Sequence, residues 1–156
     1  MINNIMTFLT VENIYLAANW GVLPFWMLLI IAPNNNITKI LVHSVVAPLL
    51  LAAGYLFIAY QIYLDGNFFE SFNLYLGLEN LYTIYSDEKF LLVFWLHFLS
   101  ISLFVGSWIA RDSTRFMIPK FLSGLCLMLT YFTGPVGLLI YWFFRLFFSK
   151  KINFNE

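Results

Sequence analysis

Apolar residues fall into four long stretches that charged residues punctuate. The chain runs for about 26, 25, 21 and 24 residues without a charge between Glu12 and Lys39, Lys39 and Asp65, Lys89 and Arg111, and Lys120 and Arg145, where ~20 suffice to cross a ~30 Å hydrocarbon core. Lipid gives a bare backbone no hydrogen-bond partner, so each run is expected to be a helix. The pattern predicts spans over residues 14–32, 40–64, 90–110 and 121–148. The fold class is therefore all-α: a polytopic membrane helix bundle of four transmembrane helices, a single integral membrane domain over residues 1–156. Pro24, Pro48 and Pro135 lie inside three of the runs. Each removes a helical hydrogen bond and predicts a kink, widest at Pro135, where Gly134 and Gly137 flank the break.

The longest connection, residues 65–89, is apolar at Phe72, Tyr75 and Leu78 but is broken by Glu70 and Glu79. It is too broken to span and is expected to be an interfacial helix lying on the bilayer. Its acidic balance argues against docking on anionic headgroups. Residues 1–13 contain no Lys or Arg, so they lack the basic start of a signal peptide, and the first span is expected to be retained. The Pro33-Asn34-Asn35-Asn36 stretch reads as a turn.

The third run carries two stripes. At ~100° per residue, His97, Ile101, Phe104, Trp108, Arg111 and Asp112 fall on one side. Ser102, Gly106 and Ala110 fall on the other, a small-residue seam that lets a second backbone come close in lipid.

Composition agrees with the pattern. Apolar residues make up 62% and charged residues only 10%, with a mean hydropathy of +0.82, whereas soluble domains carry about a quarter charged residues. Formal net charge is zero, which leaves no basic stripe for nucleic acid. Lys39, Arg111, Arg115 and Lys120 face one side of the predicted bundle and Lys89, Arg145, Lys150 and Lys151 the other, so the positive-inside count is balanced. Cys126 is the only cysteine and reads as a small apolar packing residue. Aromatics reach 21%, enough for interfacial anchoring and compatible with a flat apolar ligand such as a polyene.

Polar groups inside lipid are expensive, and few are present. Asn19 interrupts the first span, and His97 lies about two turns beyond Lys89. Burial is expected to keep that imidazole neutral, able to donate and accept protons, although a packing hydrogen bond accounts for it equally well. His43, near the start of the second span, reads as structural. Arg111 and Asp112 sit at the helix exit, either as a solvated ion cluster or as a clamp for a polar headgroup. The sequence contains no phosphate-binding glycine loop, nucleophile elbow or histidine pair at metal-ligand spacing, so neither a metal nor a cofactor is expected.

Two blocks, HFLSISLFVGSWIARD over residues 97–112 and GPVGLLIY over 134–141, are similar to those of the abscisic-acid-deficient-four family of plants, algae and bacteria. The resemblance extends to NWGVLPFWMLLIIAP (19–33) and PLLLAAGYL (48–56), and residues 65–89 are the divergent part. It implies an integral membrane protein, of a plastid-type or bacterial inner membrane, in xanthophyll metabolism. The implied reaction is isomerisation of an epoxy-xanthophyll to the allenic neoxanthin. The alternative is a non-catalytic protein that binds or assembles carotenoids. Under the first reading His97 and Asp112 would be catalytic, and Asn19, Trp108 and Arg111 would bind substrate. Relatives commonly place Asp where this chain has Ser102, so the helix lacks that intramembrane carboxylate. His97 and Arg111 are ~21 Å apart along a straight helix, so only a long polyene, and no single group on it, reaches both.

Overall fold

The computed structural model describes residues 10–44 and 46–149, without the side chains of residues 68, 70 and 71. Residues 1–9, Lys150, Lys151 and the Glu70 side chain, which entered the leader, loop-charge and connection readings, lie outside the described residues. All described elements are helical: α1 (Val11–Ile31), α2 (Asn36–Thr38), a π-helical turn (Lys39–His43), α3 (Val46–Leu64), a 3-10 helix (Phe68–Tyr75), α4 (Leu78–Tyr85), α5 (Glu88–Arg115), α6 (Lys120–Thr133) and α7 (Pro135–Ser149). The all-α expectation holds. Three stretches are long and apolar enough to cross a membrane, Val11–Ile31, Asn36–Leu64 and Glu88–Arg115. The chain divides into two compact units, Met1–Gly21 with Leu49–Ser100 and Val22–Pro48 with Ile101–Glu156.

The proline positions behave differently from one another. Pro24 sits inside an uninterrupted α1, where its missing N–H leaves the Trp20 carbonyl without a helical donor. Pro48 falls in the first turn of α3 instead of mid-helix, at a point where backbone N–H groups lack helical acceptors anyway. The second span is interrupted earlier, where the π-helical turn ends at Ser44. The fourth expected span does not run through as one helix. It breaks at Gly134 (φ 61°, ψ −90°) into α6 and α7, of 14 and 15 residues.

In the first unit, Leu92, Leu96 and Leu99 form a buried stripe on α5 at helical spacing, and Leu51, Ile58 and Ile62 form another on α3. At Gly54 α3 runs near both neighbours, where a Cβ would make ordinary van der Waals contact, 3.6 Å from Leu96 Cδ1 and 3.9 Å from Ile14 Cγ2. Asp87 caps α5, its Oδ1 accepting from the backbone N–H groups of Lys89 (2.9 Å) and Phe90 (3.2 Å). The 65–89 connection forms two short helices on either side of Gly77 and exposes Phe69, Phe72, Tyr75, Leu78 and Tyr82.

In the second unit, the expected small-residue seam is a packing face. Ser102, Gly106 and Ala110 are buried, and a Cβ on Gly106 would come within 2.7 Å of two ring carbons of Trp26. Only a residue without a side chain lets that indole lie on α5. Trp26 in turn meets Tyr131 of α6 edge-on, at 5.5 Å. The C-terminus of α5 closes with the Ser113 carbonyl accepting from Ile118 N–H (2.9 Å) and the Thr114 carbonyl from Met117 N–H (3.3 Å). This pairing needs a left-handed residue at Met117 (φ 52°), a place glycine usually takes. Beyond it, α7 doubles back along α6. A Cβ on Gly137 would strike the Thr130 backbone nitrogen at 2.2 Å and the Cys126 carbonyl at 2.6 Å, so the two helix backbones touch at this glycine.

Candidate functional site

The first unit holds a cleft of about 510 Å³ whose walls come from three sources. Tyr55 and Ala59 come from α3, Phe94 and His97 from α5, and Tyr75 and Tyr85 from the connection that precedes α5. His97 faces this cleft because it lies at +5 from Leu92 and +1 from Leu96, off the buried stripe. It is exposed, not buried as the sequence reading expected, and its ring tilts against Tyr55 at 6.4 Å. Among the described residues, His97 and the hydroxyls of Tyr55, Tyr75 and Tyr85 make no hydrogen bond, and no carboxylate lines the cleft. The site is thus an aromatic wall with hydrogen-bonding groups left available.

Asn19 belongs to the same unit and serves the protein itself. Its Oδ1 accepts from Trp95 Nε1 at 2.8 Å, tying α1 to α5, and Trp95 stacks on Phe98 at 5.4 Å.

The second unit holds the other expected site residues. Asp112 is buried, and its Oδ2 accepts from Arg145 Nε and from the Tyr141 hydroxyl, each at 2.7 Å. Trp108 meets Tyr141 edge-on, with ring centroids 5.5 Å apart. Arg145 is fully buried and lies 4.7 Å from the Phe116 ring centroid. The expected stripe on α5 is therefore divided: Ile101, Phe104 and Arg111 are exposed, whereas Asp112 turns inward. Arg111 makes no ion pair among the described residues, and the cation paired with Asp112 is Arg145, read in the sequence as a charge at a helix end.

His43 has the structural part that its sequence reading gave it. Its Nε2 lies 3.0 Å from the Pro33 carbonyl and its Nδ1 2.8 Å from Ser107 Oγ. A carbonyl only accepts, so the ring carries its proton on Nε2, and in the neutral form Nδ1 accepts from the serine hydroxyl. The same turn is pinned at Thr38, whose hydroxyl donates to the Ala32 carbonyl at 2.7 Å. Sequence reasoning missed Tyr141, Arg145 and the Ser107–His43 pair. The available signal for the first two was their place in and just after the GPVGLLIY block.

The comparisons with known proteins bear on what this arrangement serves. No solved structure matches the chain. A curated relative, "Protein ABA DEFICIENT 4, chloroplastic" of Arabidopsis thaliana, is 26% identical over 149 residues, covering 93% of this chain and 64% of that protein. The chain thus spans less than two thirds of that relative's length. The sequence profile of the ABA DEFICIENT 4-like family matches residues 13–141, most of the chain and both units. The chain belongs to the ABA DEFICIENT 4-like family.

Proposed function

We propose that the protein is a multi-pass membrane protein of xanthophyll metabolism that isomerises an epoxy-xanthophyll to an allenic product. The observation that carries this reading is the aromatic cleft beside His97, the one proton-transferring imidazole that faces a ligand-sized space. In the reaction, the epoxide C–O bond breaks as a proton leaves the neighbouring polyene carbon, and the ring oxygen gains a proton. Atoms and electrons balance without a co-reactant. His97 serves as the proton-transfer group, and a tyrosine hydroxyl in the cleft donates to the oxygen. Asp112 takes a different part from the one its motif suggests: its carboxylate is occupied by Arg145 and Tyr141. It positions helices, with Trp108 packed on the same tyrosine. Exposed Arg111 is the group placed to meet a polar headgroup or hydroxyl.

In the membrane, α1, the Asn36–Leu64 stretch and α5 cross, and α6–α7 enters and returns as a re-entrant hairpin, each arm too short to span. The connection helices lie at the interface, with Phe72 and Tyr75 toward the headgroups.

A second reading, binding without catalysis, is favoured by the cleft having no carboxylate among its described residues. One experiment separates the two. A bacterium accumulating an epoxy-xanthophyll is made to express the wild type or His97→Ala. A new allenic pigment that disappears in the variant is the expected result. Unchanged pigment that co-purifies with both proteins would favour binding, and no effect on pigment of any kind would end both readings.

A further inference from the structure

We infer that the Tyr55–His97 cleft receives one oxygenated ring end of its ligand, while the rest of the molecule lies outside it. This rests on the xanthophyll reading above and says which part of such a molecule the protein recognises. Size decides the first half of the argument. A space of 510 Å³ is within the range of small-molecule sites, and an equant volume of that size would be about 10 Å across. A polyene long enough to cross the bilayer is ~30 Å. The cleft therefore holds one end, and the exposure of Phe94 and Tyr75 on its walls leaves a way out for the chain.

Chemistry decides the second half. Tyr55, Phe94 and Tyr85 form a set of flat faces, with Tyr85 and Phe94 rings already in contact at 5.1 Å. Flat faces suit a ring more than a disordered acyl tail, which has no fixed shape to match. The imidazole and the tyrosine hydroxyls that line the cleft have no partner among the described residues. An oxygen on the ring would supply one, which a purely hydrocarbon end could not. The wall formed by Tyr75 and Tyr85 belongs to the connection that precedes α5, so this segment sets which ring substituents fit.

The chain has two histidines, which makes the test internal to the protein. Protein labelled with ¹⁵N-histidine, in lipid nanodiscs, is titrated with 3-hydroxy-β-ionone, a hydroxylated ring without the long polyene. Pseudoionone, an acyclic ketone of comparable size, is the comparison. His97→Gln assigns the signals. The hydroxylated ring is expected to shift the His97 imidazole resonances saturably, at least tenfold more tightly than pseudoionone. The His43 resonances, held by Pro33 and Ser107, stay in place. Ala59→Trp, which fills the cleft, abolishes the shift, and unmoved His43 signals in that variant show that the fold around them persists. Tyr55→Phe weakens binding without filling the space. Unmoved His97 signals, equal response to the acyclic compound, or full response in Ala59→Trp would each overturn the inference. If pigment is converted or retained in cells while the ring compound leaves His97 unmoved, this inference fails and the xanthophyll reading stands. If the ring compound binds and pigment is untouched, the xanthophyll reading fails alone.

Discussion

Arg145 donates its Nε–H to Asp112 Oδ2 at 2.7 Å, a pairing of two buried groups 33 positions apart. Two ions removed from water are costly unless each neutralises the other, and here the Tyr141 hydroxyl adds a second donor to the same oxygen. Asp112→Asn or Arg145→Met, made singly, leaves an uncompensated charge and is expected to cost about 3–5 kcal/mol. The double variant is expected to lose clearly less than the sum, since neither charge then remains buried alone. Unfolding in detergent, followed by circular dichroism across this cycle, checks it. Additive losses would mean the two residues act independently.

Gly106 is where α5 admits the Trp26 ring, with no room for even a methyl group. Gly106→Leu should destabilise the protein by ~1–3 kcal/mol through forced displacement of that ring. The fluorescence of the displaced indole should change with it. An unaltered melting temperature would show that the seam does not pack in solution.

Met117 occupies a left-handed conformation (φ 52°) while exposing 85% of its surface, so its side chain gains little to offset the strain. Met117→Gly is expected to stabilise the protein by about 1 kcal/mol, because glycine adopts this backbone without a Cβ clash. A thermal melt decides the sign.

The long apolar helices were legible because charge-free length is a property of the chain itself, and α1 and α5 follow it closely. The seam was legible for a similar reason: Ser102, Gly106 and Ala110 recur at four-residue spacing whatever lies opposite. The fold-back at Gly134 was only half written. Pro135 announced a break, but its sharpness comes from Gly137 meeting Thr130 and Cys126, a contact between residues on two different helices. Arg145 was misread for the same cause. At the end of an apolar run a cation looks interfacial, and only the return of α7 brings it to Asp112. His97 lies exposed against expectation because depth along a helix says nothing about facing. Register put the deeper ring on the surface, and the turn after α1 gave the shallower one two partners.

In the topology proposed above, three crossings followed by a re-entrant hairpin, Thr10 and Ser149 lie on opposite sides of the membrane. Single cysteines at Thr10 and Ser149, labelled with an impermeant maleimide, are expected to react from opposite faces of sealed vesicles. The native Cys126 is fully buried and adds no background. Labelling from one face would mean that residues 120–149 cross the bilayer.

Synthesis gives the Asp112–Arg145 pair a further meaning. The ribosome delivers Asp112 first, and its counter-ion follows 33 residues later, on the returning arm of the hairpin. Until that arm docks, α5 carries a carboxylate without the counter-ion that its buried site requires. A chain released early, before Arg145, keeps that defect for good. The last helix is thus what answers the acid, and truncation before Arg145 is expected to destabilise the second unit.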